Sequence, residues 1–138
     1  MNPGTLAYLG TPYTRYAAGI EAAFQDAAAL AARLLLSGIH VYSPIAHTHP
    51  LAMYGLLDPL DHSIWLPFDE LMMRRCDTLI VAHMEGWQES KGIAHEVDYF
   101  WRAGKPIFDL SDVTTCNLVR RGELSPLADH QREHIPIS

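Results

Sequence analysis

One stretch leaves this chain few folds to choose from: CDTLIVAHMEGWQESKGIAHEVDYFW, running from Cys76 to Trp101. Thr78 to Ala82 is a short, β-branched, apolar run with Asp77 before it, which suits an inner strand of a parallel sheet covered on both faces. His83 to Glu89 is the exit loop, and Gly86 gives it freedom. Glu89 or Ser90 is placed to cap the helix that follows. Ile93, Val97, Phe100 and Trp101 recur at helical spacing and form one apolar stripe, whereas Lys91, His95, Asp98 and Arg102 form a wet face. Glu96 falls three residues after Ile93 and four before Phe100, on the edge of the stripe. A carboxylate aimed at a core needs a reason, because its charge is costly to bury.

The rest of the chain repeats this alternation. Leu6 to Leu9 reads as the first strand, and Gly10-Thr11-Pro12-Tyr13 as a turn-rich loop. Ala17 to Ser37 carries the strongest helical pattern, with Gly38 as its stop. Ile39 to Tyr42 is the second strand. Ser43 to Asp61, with Pro44, Pro50, Pro59, His47 and His49, reads as a long loop of the kind that is often functional. Pro67 to Cys76 is the second helix, with Pro67 in its first turn. Pro106 to Leu110 is the fourth strand, after a stop at Gly104. Thr114 to Arg121 reads as a further short helix, and Pro126 to Ser138 as a tail that docks on the domain or on a neighbour.

Strands alternating with helices imply right-handed βαβ units. The expected fold is α/β: a small Rossmann-like or flavodoxin-like three-layer sandwich with a parallel sheet of four to five strands, ordered 2-1-3-4, in one domain over residues 1–138. Ligands of such sheets bind beyond the carboxyl ends of the strands, near the switch point between strands 1 and 3. That rule gathers residues 10–16, 43–61, 83–90 and the segment after Leu110.

Composition narrows the function. A net charge of −6 argues against binding a nucleic acid polymer, which needs a basic face. Cys76 and Cys116 do not make a disulfide framework and read as reduced thiols of a cytoplasmic protein. No segment approaches a membrane span, and the N-terminus lacks a charged-then-apolar signal pattern. The GTPY loop serves equally as a structural turn or as amides that cradle a phosphate, but it lacks the dinucleotide and Walker patterns. His47-Thr48-His49 invites a metal reading. An HxH in coil without cysteines spaced as partners does not carry it, and no metal is expected. Trp87 serves either as a cover for the core edge or as a stacking face for a planar base.

The chain resembles the nucleoside 2-deoxyribosyltransferase superfamily, which also includes nucleotide N-glycosidases acting on 5′-monophosphates. The likeness spans Ala7 to Leu110. It rests on YLGTPY, with Tyr8 in the place of the active-site tyrosine, and on Asp69, eight residues before Asp77. It rests further on CDTLIVA and on ESKGIAHEVDYF, where Glu96, six residues after Ser90, stands in the place of the catalytic glutamate. Within the superfamily the chain looks like a small bacterial and phage branch, the DUF1937-like proteins. His95 and Val97 flank the glutamate where relatives carry an aromatic or small residue before it and a small one after.

The resemblance implies an N-glycosidase or deoxyribosyltransferase acting on nucleosides or nucleoside 5′-monophosphates. Glu96 is the implied nucleophile, Tyr8 the group that orients it, and Asp69 the proton donor to the leaving base. Gly10, Thr11, Ser90 and Gly92 are expected at the 5′ end, Trp87 or His47 beside the base, and Asp77 among the substrate-binding residues. A serine at position 90, where the nucleoside transferases often carry an aspartate, tilts the reading toward a phosphorylated sugar. This chemistry requires no cofactor. Two other readings stay open: a non-catalytic nucleotide-binding module, and a metal-dependent hydrolase built on His47 and His49. The apolar residues Leu51, Met53, Tyr54, Leu56, Leu57, Trp65 and Leu66 are too many to expose singly, so a homodimer or higher homo-oligomer is expected.

Overall fold

The computed structural model describes residues 1–122, so the expected docking tail at Pro126 to Ser138 lies outside the described residues. Five strands form one sheet in the order β2-β1-β3-β4-β5. They are β1 (Leu6–Gly10), β2 (His40–Tyr42), β3 (Thr78–Ala82), β4 (Ile107–Leu110) and β5 (Val119–Arg120). The first four pair in parallel, and β5 adds an antiparallel edge. The helices are α1 (Ile20–Leu36), α2 (Pro44–Gly55), α3 (His62–Arg75) and α4 (Lys91–Arg102).

The period-two alternation of the strands sorts their side chains into two cores. Ala7, Leu9, Ile80, Ala82 and Leu110 pack with Leu30 and Leu34 of α1 on one face. Tyr8, Leu79, Val81 and Ile107 pack with Met73 of α3 and Ile93, Val97 and Phe100 of α4 on the other. All five residues of β3 are buried, in keeping with a strand covered on both faces. The three-layer α/β sandwich is thus built around β1 and β3.

Three local expectations are corrected. The segment after β2 is a helix, not a long loop. The Ser43 side chain accepts from the Ala46 amide, Pro44 occupies the first turn, and Leu56 closes the helix in a left-handed conformation with φ 57°. Together these caps outweigh the rung lost at Pro50. Next, α3 starts at His62, and Pro67 lies inside it. Asp61 is the true cap, accepting from the Ser63 amide at 3.0 Å and the Ser63 hydroxyl at 2.6 Å. Finally, Thr114 to Arg121 is no helix. Asp112 accepts from the Thr114 amide and hydroxyl in a local turn, after which the chain pairs as β5.

Candidate functional site

The carboxyl ends of β1, β2 and β3 meet α3 and α4 at a cluster of oxygen atoms. Tyr8 and Tyr42 stand opposite each other in the β1–β2 register, with ring centroids 5.8 Å apart. Phe100 of α4 lies 5.9 Å from the Tyr8 ring. Glu96, one turn before Phe100, extends over the end of β1: a β-carbon built on Gly10 would lie 2.5 Å from Glu96 Oε1. Asp69 of α3 completes the group.

The electrostatics mark these side chains as neighbours. Burial, then the charges of Glu96 and Asp69, push the Tyr8 hydroxyl far above its usual range. Burial and then the charge of Asp69 raise the Tyr42 hydroxyl as well. Burial, then Asp69, hold Glu96 well above an ordinary carboxyl. Asp69 is itself pushed up to about 6 by burial, against a smaller opposing pull from His95. The pair behaves as one coupled acid that resists a double negative charge.

Tyr8 Oη, Tyr42 Oη, Asp69 Oδ1, Glu96 Oε1 and Thr11 Oγ1 are all sealed from solvent without a protein hydrogen-bond partner. Each such group costs about 1–3 kcal/mol. Each such orphaned group calls for an explanation, which a strained or catalytic role, a bound water or an ion can supply. Tyr8 donates no hydrogen bond to Glu96 in this arrangement, so the orienting role read for it rests on proximity.

Of the residues expected at the 5′ end, Ser90 and Gly92 lie at the start of α4, and Gly10 and Thr11 at the end of β1. Ser90 is buried and its Oγ accepts from the Ile93 amide at 3.1 Å. That capping bond leaves the Ser90 hydroxyl hydrogen free to donate to an anion. Gly92 follows in the first turn, and Thr11 comes directly after Gly10 at the end of β1. The loops after β1 and β3 touch: a β-carbon on Gly86, whose φ is 88°, would collide with the Arg15 carbonyl. Trp87 packs its ring on His83, with centroids 3.9 Å apart and planes 3° from parallel, and also borders the core below Tyr8. One of its faces is therefore taken by a protein partner.

Asp77 is corrected. It precedes β3 at the opposite end of the sheet, where its Oδ2 accepts from the Leu6 amide at 2.8 Å. It fastens the start of β1 and is remote from the strand-end crevice. His47 is exposed and stacks near Phe68 of α3, at 5.5 Å, and Tyr42, at 5.9 Å. It reaches the rim of the cluster. His49 faces the other way, toward Tyr13 and Glu21. Among the described residues, no group of three or more His, Cys, Asp or Glu is arranged to hold a metal ion. None of the described helices is long and apolar enough to cross a membrane.

Sequence reasoning missed Tyr42, although it ends the second strand, where the strand-end rule looks for ligand contacts. It also missed Asp109. That carboxylate accepts from Arg121 Nη2 at 2.6 Å and Nε at 2.9 Å, and lies 2.9 Å from His83 Nε2. Burial pulls Asp109 upward, but the bonds from His83 and Arg121, with their charges, outweigh it and hold the carboxyl below its usual range. No local pattern pairs residues 83, 109 and 121.

A family model described as a domain of unknown function, DUF1937, matches residues 5–112. The match takes in Tyr8, Gly10, Thr11, Asp69, Ser90 and Glu96, and it ends before Arg121. No curated protein matches the chain.

Proposed function

We propose that this chain, which belongs to the DUF1937 family of domains of unknown function, is an N-glycosidase or deoxyribosyltransferase acting on nucleosides or nucleoside 5′-monophosphates through Glu96. The observation that carries the reading is the sealed, unpartnered oxygen cluster of Tyr8, Asp69 and Glu96 at the end of β1. A pentose offers several hydroxyl donors in a compact ring, which is what such a cluster lacks.

In the proposed reaction the bond from the anomeric carbon to the base nitrogen breaks, and the base leaves with the electron pair. Glu96 faces the positive charge left on the sugar, either as an ion or by forming a glycosyl ester. Asp69, at the far end of the coupled pair, hands a proton to the departing base. For this the single proton of the pair must sit on Asp69. Ligand hydroxyls donating to Glu96 Oε1 favour that distribution, because they stabilise its anion. Water in a hydrolase, or a second base in a transferase, then attacks the anomeric carbon, Glu96 departs as its carboxylate, and the proton of the attacking group passes to Asp69, which is restored as the acid.

Ser90 supports a phosphorylated sugar, since its hydroxyl and the amides of the α4 N-terminus favour an anion. The exposed Leu51, Met53, Tyr54, Leu56, Leu57 and Leu66, on α2, the turn that closes it and α3, support a homo-oligomer built on that face. Trp65 is half-buried and its Nε1 donates to the Asp58 carbonyl, so it does not belong to that surface. A cytoplasmic setting is in keeping with two unpaired cysteines.

The test is incubation of the purified protein with a panel of nucleosides and 5′-monophosphates, with free base followed by chromatography. Release by the wild type and none by Glu96→Ala is expected. Equal release by both would remove Glu96 as the nucleophile. Calorimetric binding without any release would favour the nucleotide-binding module.

A further inference from the structure

Tyr42 belongs to the sealed oxygen cluster, yet the mechanism above gives it no task. It stands on β2, the edge strand beside β1, opposite Tyr8 in the register and with ring centroids 5.8 Å apart. The helix that carries Glu96, α4, packs against β1, β3 and β4. Tyr42 therefore extends the cluster from Tyr8 toward the β2 edge, away from the strands that α4 covers.

Asp69 is tied to the same edge. The Tyr42 ring meets His47 at 5.9 Å, and His47 lies 5.5 Å from Phe68, the residue directly before Asp69. Burial, then the charge of Asp69, then that of Cys76, raise the Tyr42 hydroxyl, so it keeps its proton at neutral pH and stays a donor. Tyr42 Oη and Asp69 Oδ1 are both sealed and unpartnered, and they do not bond to each other. One ligand that meets both oxygens would satisfy both. A flat heterocycle suits this corner. The rings of Tyr42, His47 and Phe68 offer it apolar faces, and Tyr42 and the protonated Asp69 offer hydrogens to its nitrogens or carbonyls.

Resting on the glycosidase reading, we infer that Tyr42 serves the leaving-group side of the site, where its hydroxyl donates to the departing base beside Asp69. As the bond from the anomeric carbon breaks, its electron pair passes to the base nitrogen. Asp69 delivers its proton to the base. Tyr42 keeps its own proton, and its hydrogen bond takes up part of the developing charge. Glu96, on the other side of the cluster, serves the sugar.

The experiment compares two kinds of leaving group on the same pentose 5′-phosphate: the bases of the panel, which need a proton to depart, and 4-nitrophenolate, which does not. Tyr42→Phe should slow release of base about 10- to 100-fold more than release of nitrophenolate, the range for a hydrogen bond to a charged acceptor. Asp69→Asn should show the same bias, whereas Glu96→Ala should lose both reactions alike. An equal or larger loss on nitrophenolate in Tyr42→Phe would assign Tyr42 a purely structural role. Undiminished release of base would leave it outside the site. Either result overturns the inference while the glycosidase reading stands. A wild type that releases base from no compound fails the glycosidase reading itself, and the inference falls with it.

Discussion

Gly10 and Glu96 compete for one volume: a β-carbon on the first would stand 2.5 Å from Oε1 of the second. The strand end is bare so that a helix carboxylate can lie across it. Gly10→Ala should displace Glu96 by an ångström or so while sparing the strand. Base release is expected to fall about 100-fold, the scale of a small misplacement of a reacting group, with an unchanged far-UV circular dichroism spectrum. Full activity in this variant would show that the carboxylate's place is immaterial.

The raised carboxyls at positions 69 and 96 set a stability trend with pH. The folded state holds their protons more tightly than the unfolded chain, so their contribution is complete at low pH and is lost as pH rises. For Asp69 the window runs from its ordinary value of 3.8 to about 6. Glu96 extends the decline upward. Asp69 is partly exposed, so solvent screening limits its share to roughly 1–2 kcal/mol. Urea unfolding of the wild type should show lower stability at pH 8 than at pH 5. Glu96→Gln should flatten the trend, gain about 1–2 kcal/mol at pH 8 and lose base release. A steeper trend in the variant would contradict the assignment.

Ser90 caps α4 and, on the proposed reading, also meets the 5′ phosphate; two substitutions separate these tasks. Ser90→Ala removes the cap and should cost about 1 kcal/mol of stability. Ser90→Asp keeps a capping acceptor but adds a negative charge where a phosphate would sit. Its KM for 5′-monophosphates should rise at least about tenfold, with nucleosides little affected. Equal effects on both classes would move the 5′ end elsewhere.

Asp109 is expected to matter for the fold more than for the chemistry. Asp109→Asn leaves the Arg121 guanidinium buried without its counter-charge, at a cost of about 3 kcal/mol. The carboxyl is held low in the folded state, so its stabilising contribution is present above its ordinary value of 3.8 and fades as pH falls through the folded value. Denaturation curves of wild type and variant should therefore differ widely at pH 7 and converge as pH falls below the folded value of the carboxyl. A constant gap would assign the loss to packing.

The exposed face of α2 and α3 predicts assembly. Tyr54 and Leu56 are each 90% exposed beside Leu51 and Leu57. Gel filtration with light scattering should report a mass above 15.4 kDa, and Tyr54→Glu should lower it. A wild-type mass at the monomer value removes the proposal.

What the sequence revealed and what it hid divide along physical lines. β3 and α4 were legible because burial on both faces and a 3.6-residue stripe leave strong local patterns, and Glu96 stood out as an exception to its own stripe. α2 was obscured by Pro44, Pro50 and two histidines. Its helix depends on caps at Ser43 and Leu56 whose value shows only once α1 packs against it. The start of α3 was hidden in the same way, since Asp61 and Ser63 outrank Pro67 as a beginning. Asp77 was misassigned because a carboxylate before a strand looks alike whether it binds a ligand or a neighbouring amide. Tyr42, Asp109 and the hydrogen bonds of His49 to Tyr13 and Glu21 join residues far apart in sequence, and only the sheet order brings them together.

The seam between the Arg15 carbonyl and Gly86 has one more consequence. It is main chain against main chain, so no change of rotamer could make room for a side chain at position 86, and any substitution there would act as a permanent wedge between the two loops.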